Sequence, residues 1–274
     1  MRLSLSLRNL DLNNFMSSQN RFGYEWDKYS WMTDDYEKQF LNWTTPMQPS
    51  DWVGKSILDV GCGMGRNSLW PMKFGARTVT AFDYDERSVE RAKETLREYP
   101  SAQVLFKSIY DIPWENEFDI AFSIGVIHHL KDPKHAIKNM VQALKPCGKL
   151  VIWVYGYEGN EWIVRYVNPI RIHITSKLPV APVHVLSYFC SVPLYLFVKI
   201  FKGPSAYLKQ LSTFNFWHVH SIVFDQLIPD VANYWKKEEV ASLVTGLPLS
   251  NISVTAPPNN SGWILTGIKM PQAS

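Results

Sequence analysis

Between Trp52 and Tyr155 short apolar runs alternate with stretches of helical spacing. Ser56–Val60 is a β-branched apolar run leading into glycines, and Arg77–Phe82, Gln103–Lys107, Phe118–Ser123 and Lys149–Tyr155 repeat the strand pattern. The intervening segments Met64–Phe74, Glu86–Glu98 and Pro133–Leu144 read as helices. Pro71 is expected to end or kink the first of them early, Pro100 follows the second, and Pro133 opens the third. Strands separated by helices of about ten to fifteen residues define parallel βαβ units. Lys236–Gly246 reads as one more helix closing on glycine, and Leu249–Val254 and Trp263–Met270 as two last strands around a turn-rich loop. The pattern therefore predicts an α/β fold, doubly wound, with a mostly parallel seven-stranded sheet. Residues 157–234 interrupt it: they are rich in Trp, Tyr, Phe and Pro and carry no helical or strand period.

Composition sharpens this picture in three places. The net charge of +3 on 274 residues comes without a run of about five or six like charges, which argues against a dedicated nucleic-acid surface. Cys62, Cys147 and Cys190 are odd in number and widely spaced, so neither a disulfide framework nor a metal site is read from them, and a cytoplasmic setting is expected. Met1–Asn20 lacks the continuous apolar stretch of a secretory signal. Leu178–Val198 holds no Asp, Glu, Lys or Arg and matches a bilayer in length. Pro179, Pro182 and Pro193 argue against a crossing, as do the sheet strands on both sides of the run, which could not pair across a membrane.

The candidate chemistry begins at Ile57-Leu58-Asp59-Val60-Gly61-Cys62-Gly63-Met64-Gly65. A buried strand enters a loop with glycine at alternate positions, and a helix follows; this lets the backbone approach a ligand and points a helix N-terminus at it. Asp83 ends the second strand, where a carboxylate can bridge ribose hydroxyls. The dinucleotide fingerprint would need glycine at position 66, which is Arg66.

From Ile57 to Tyr155 the chain resembles the class I S-adenosylmethionine-dependent methyltransferases, of the type that acts on small molecules. The resemblance rests on Asp59, Gly61, Gly63 and Gly65 in the first motif, on Ala81-Phe82-Asp83, on Ser108-Ile109-Tyr110, on Phe118-Asp119-Ile120 and on the Leu144-Lys145-Pro146-Cys147-Gly148 turn. It implies S-adenosyl-L-methionine as cofactor, with Asp59 accepting from its amino group and Asp83 and Tyr84 at the ribose. Around the loop it implies Gly61, Cys62, Gly63, Gly65 and Ser123, and at the adenine Ser108, Ile109 and Tyr110. Trp26 and Tyr29, on an aromatic N-terminal segment, are expected to cover the cofactor. The implied organisation is a covering segment at 1–51, a cofactor-binding core at 52–156, an inserted substrate cap at 157–234, and the last helix and strands of the core at 235–274.

Methyl transfer from a sulfonium is an in-line displacement that needs positioning, and a base where the acceptor carries a proton. His128 and His129, leaving the fourth strand, are candidates, as are His218 and His220, which would share one face of an extended segment. No metal is expected. The aromatic insertion favours a small, apolar or aromatic acceptor, with O-methylation preferred and nucleic acid not expected. Methylation of tRNA or protein stays open, as does a module that binds the cofactor without transfer. Arg165, Arg171, Lys177, Lys199 and Lys202 flank the apolar run and allow peripheral contact with an anionic membrane; a plain hydrophobic lid is the other reading.

Overall fold

The structure is a computed structural model that describes residues 21–25, 35–203 and 206–271. Trp26 and Tyr29 lie outside the described residues. After a helix α1 (Asp35–Trp43), the core runs β1 (Ser56–Val60), α2 (Arg66–Lys73), β2 (Thr78–Asp83), α3 (Glu86–Thr95), β3 (Ala102–Phe106), β4 (Phe118–Ile124), α4 (Pro133–Ala143) and β5 (Leu144–Val154). The insertion adds α5 (Asn168–His173), α6 (Val180–Phe201), α7 (Ala206–Thr213) and α8 (Phe216–Asp225); α9 (Lys237–Ser242), β6 (Leu249–Thr255) and β7 (Trp263–Lys269) complete the chain.

The seven strands form one sheet in the order β3-β2-β1-β4-β5-β7-β6. The first five are parallel, and β7 runs antiparallel to both neighbours. Alternation along the strands sends Leu58, Ala121, Leu150 and Ile152 to a core with α4 and α9, while Ile57, Ile120, Phe122 and Val151 face α1, α2 and α3 on the other side. Both faces are covered, as the near-continuous apolar strands require.

Local chemistry explains most element ends. Gly65 takes a left-handed conformation at the start of α2, so the helix begins at Arg66 rather than Met64. Pro71 lies inside α2, which stops two residues later. Asp85 and Asp132 cap α3 and α4 by accepting from the N–H groups of Ser88 and His135. Cys147 has φ +63°, the left-handed conformation that glycine would adopt most cheaply in that turn.

Cationic side chains anchor the insertion. Buried Arg21 donates to the carbonyls of Thr175, Ser176 and Leu178. Buried Arg171 donates to Asn168 Oδ1 and to the carbonyls of Gln226 and Ala232. Asn233 bonds the His128 carbonyl through its backbone N–H at 2.9 Å and its side chain at 3.1 Å, returning the chain to the sheet.

Candidate active site

A cavity of about 1080 Å³ opens at the C-terminal ends of the parallel strands. One end is lined by Gly61, Cys62, Gly63, Met64, Arg66, Asp83, Tyr84, Ser108, Ile109 and Tyr110; the far end by Glu25, His129, Tyr155, His218, Asp225, Gln226 and Tyr234. The first set comes from the loops after β1, β2 and β3, and much of the second from the insertion.

The loop after β1 is built for close approach. Gly61 has φ +76°, and a Cβ there would sit 2.5 Å from Val126 Cγ2. The Gly63 N–H donates to Asp83 Oδ2 at 2.8 Å, so the carboxylate and the loop hold one another at the rim. Burial pushes the Asp83 carboxyl up to about 6 against the lowering effect of that bond. Ser108 accepts from the Tyr110 N–H at 3.2 Å and holds the following turn, while the Ile109 side chain supplies an apolar wall. A glycine cradle, a carboxylate at a strand end and an apolar wall beyond it fit the methionine, ribose and adenine parts of S-adenosylmethionine in turn.

Three of the expected cofactor residues are not on the cavity wall. Asp59 is buried under the loop and accepts from the Ser68 hydroxyl at 2.5 Å; burial raises its carboxyl to about 7. Ser123 is buried between strands and donates to the Val60 carbonyl. Gly65 packs against α3, where a Cβ would meet Ala92 Cα at 3.0 Å. All three shape the loop from behind, because the side chains of one strand alternate and only the loop beyond it faces the ligand.

The four histidines separate in the same way. His128 is buried off the cavity, its Nδ1 accepting from the Tyr155 N–H at 3.4 Å and its ring stacked on Tyr155 at 3.8 Å. His220 is buried between α6 and α8, its Nδ1 2.7 Å from Ser191 Oγ. His218 and His220 lie on the helix α8, not on an extended strand, so a spacing of two turns them to different faces. His218 reaches the cavity but stacks on Phe214 at 3.8 Å, and burial pushes its imidazole down to about 3. His129 also lines the cavity, and its Nδ1 lies 2.7 Å from the Val231 carbonyl. A carbonyl can only accept, so Nδ1 carries the proton and Nε2 keeps its lone pair. Burial holds this imidazole near 4, neutral at physiological pH.

Asp225 and Tyr155 stand out in the sequence one by one, as the end of the polar stretch 217–225 and the exit of the fifth strand, and the structure brings them together. Tyr155 donates to Asp225 Oδ2 at 2.9 Å and accepts from Gln226 Nε2 at 3.0 Å, and Tyr234 donates to Gln226 Oε1 at 2.7 Å. Glu25 lines the same end, and its Oε2 is buried without a hydrogen-bond partner among the described residues. Burial raises both carboxyls and Asp225 raises Glu25 further; Arg66 opposes the rise in both, and at Asp225 so do the Tyr155 hydroxyl and Arg171. Arg66 directly follows the glycine loop and was legible there; Gln226 and Tyr234 lie in the segment without a period. Among the described residues no group of three His, Cys, Asp or Glu is placed to hold a metal ion.

Comparison with known proteins agrees with this geometry. Residues 58–152 match the family described as Methyltransferase domain. The tRNA U34 carboxymethyltransferase of Klebsiella pneumoniae is 33% identical over 117 residues, 41% of this chain and 34% of that protein. Its counterpart in Nautilia profundicola is 26% identical over 148 residues, 52% of this chain and 49% of that protein. The chain thus matches about a third to a half of the length of these relatives. Among solved structures, an O-methyltransferase family protein of Burkholderia thailandensis aligns with a TM-score of 0.56 at 11% identity, over 93% of this chain and 60% of that one. A S-adenosylmethionine-dependent methyltransferase of Methanosarcina mazei aligns with a TM-score of 0.50 at 16% identity, over 82% and 95% of the two chains. Over residues 58–152 the chain is thus similar to the S-adenosylmethionine-dependent methyltransferases, and its sheet shares their fold.

The tRNA-modifying relatives overturn the expectation of a small-molecule acceptor without nucleic acid. The whole-chain net charge of +3 hides a basic segment. Residues 162–224 contain six Lys or Arg and no Asp or Glu, a local +6, which leaves −3 on the remainder of a chain whose net charge is +3.

Proposed function

We propose that this protein is a cytoplasmic S-adenosylmethionine-dependent methyltransferase whose acceptor is tRNA. The observation that carries the reading is the single cavity joining the glycine loop and Asp83 to His129, Tyr155 and Asp225. The tRNA-modifying relatives support the acceptor class. When bound, the cofactor supplies an electrophilic methyl group. Gly61, Gly63, Asp83 and Ile109 hold it, and the insertion caps the acceptor end and keeps water from the transfer.

His129 and Asp225 are then the proton-handling groups. The Nε2 lone pair of His129 is held by the bond from Nδ1 to Val231, and Asp225 is oriented by the Tyr155 hydroxyl. The Tyr155 and Tyr234 rings, stacked with centroids 5.2 Å apart, line the acceptor end and give it an aromatic border. The test is incubation of the purified protein with methyl-labelled cofactor and bulk tRNA, followed by mass spectrometry of the nucleosides. Label in a modified nucleoside is expected. Cofactor binding with no label in any RNA would reject the acceptor, and calorimetry showing NAD bound in place of S-adenosylmethionine would reject the reading altogether.

A further inference from the structure

Helix α6 is built inside out. Its buried side carries His184, Ser187 and Ser191 beside Val183 and Val198. Ser187 donates to the His184 carbonyl at 2.7 Å and lies 3.3 Å from His220 Nε2, so the polar groups of α6 are consumed against α8. The opposite side is apolar and open: Val185 is 61% exposed, Phe189 75%, Ile200 68% and Phe201 67%. Val185, Phe189, Val192, Leu196 and Ile200 follow a spacing of three and four, one stripe about 22 Å long at 1.5 Å per residue. Exposed Ile170, Ile172, Ile174 and Leu178 extend the apolar surface from α5 to the start of α6. A helix on the surface of a domain in water shows the reverse arrangement, and a contiguous apolar surface of this kind marks an interaction site.

The charges around the stripe select its occupant. Arg165, Lys177, Lys199, Lys202 and Lys209 are exposed, and no acidic residue occurs between positions 162 and 224. A second copy of the chain would bring the same cations against these, so self-association through this face is opposed. A polyanion without an apolar surface would leave Phe189, Ile200 and Phe201 in water. An anionic bilayer satisfies both features, since its headgroups meet the cations and its acyl boundary takes the side chains. The helix is long and apolar enough to cross a bilayer. Its Ser and His side is nevertheless packed on α8, and Arg21 ties the turn before it to the fold, so the geometry allows it to lie in the interface and not to cross.

We propose that the outer face of α6 is a docking surface for anionic lipid, holding the protein at a membrane with the cavity beneath the docked helix. Cys190 and Leu194 of α6 line that cavity, so docking places lipid contact next to the acceptor end. The inference stands independently of the acceptor assigned above.

Flotation with phosphatidylcholine vesicles, with and without phosphatidylglycerol, tests it. The wild-type protein is expected to float with the phosphatidylglycerol vesicles and to be released by salt. The double variant Phe189→Asp, Ile200→Asp should lose vesicle affinity by at least about tenfold, and Lys177→Glu, Lys202→Glu by a similar factor. All these side chains are exposed, so thermal melts and cofactor affinity should match wild type; a variant that fails to fold is replaced by Phe189→Ser alone. Wild-type protein that stays in solution with both vesicle types overturns the proposal, as does binding that survives Phe189→Asp, Ile200→Asp. Two other results would also overturn it. In one, bulk tRNA but not vesicles is bound through the lysines. In the other, a dimer seen by light scattering falls apart in the apolar-face variant without any vesicle binding.

Discussion

At the residue scale the cofactor end rests on a few side chains whose roles differ although their positions in the motif look alike. Asp59 and Asp83 both lie at or next to strand ends, yet only Asp83 reaches the cavity; Asp59 turns under the loop to Ser68. Replacing Asp83 by alanine removes a carboxylate from the cavity wall and the acceptor of the Gly63 N–H, so cofactor affinity should fall by about 1–3 kcal/mol in calorimetry. Gly61→Ala should do at least as much harm, because its Cβ collides with Val126 and its φ is left-handed. Asp59 makes a different prediction. Its carboxyl is raised from 3.8 to about 7 by burial, so between about pH 4 and 7 the folded protein keeps a proton that the unfolded chain has lost. The contribution of Asp59 to stability therefore falls as pH rises through that window and levels off above it. Thermal melts of the cofactor-free protein should show it as a difference between wild type and Asp59→Asn that changes across the window. A raised Asp83 contributes in the same sense and the buried neutral His128, His129 and His218 in the opposite one, so the difference isolates Asp59 where the absolute slope does not.

At the scale of elements, the core was legible because each element obeys a local rule that the sequence displays. Every strand of the sheet overlaps the apolar run that predicts it, and β5 begins as early as Leu144 because that residue pairs with Phe118 before the register shifts and pairing resumes at Lys149. The insertion was not legible, and α6 shows why. Periodicity detects a helix that buries apolar residues and exposes polar ones; α6 is apolar on its open side and polar only where it packs. Two of its prolines stand where a helix tolerates them: Pro179 precedes it and Pro182 falls in its first turn, where a missing N–H costs little, while Pro193 lies inside it. The same inversion makes the α6–α8 contact depend on hydrogen bonds. Ser191→Ala removes the hydroxyl 2.7 Å from the buried His220 Nδ1, and should lower stability by about 1–3 kcal/mol in denaturant titration. An apolar contact of the same size would lose less on removal of one hydroxyl.

At the scale of the whole molecule, the sheet and the insertion each supply half of one cavity, and this division separates two measurable quantities. The cofactor end is contributed by loops of the sheet, while Asp225 and Gln226 come from the insertion and close on Tyr155 at the end of β5. Changes at the far end should therefore alter turnover and leave cofactor affinity intact. His129→Ala removes the lone-pair nitrogen fixed by Val231, and kcat should drop by about 10²–10⁴-fold if that nitrogen accepts the acceptor's proton. Asp225→Asn keeps the shape but removes a charge. The carboxyl of Asp225 is raised by burial, and a base works only when ionised, so kcat in the wild type should climb with pH as Asp225 loses its proton. That limb should disappear in Asp225→Asn, whereas His129→Ala should keep it at a lower level, because the imidazole is already neutral above about pH 4. A pH profile that is the same in wild type and Asp225→Asn, with unchanged turnover, would return Asp225 to a purely structural role holding Tyr155 in place.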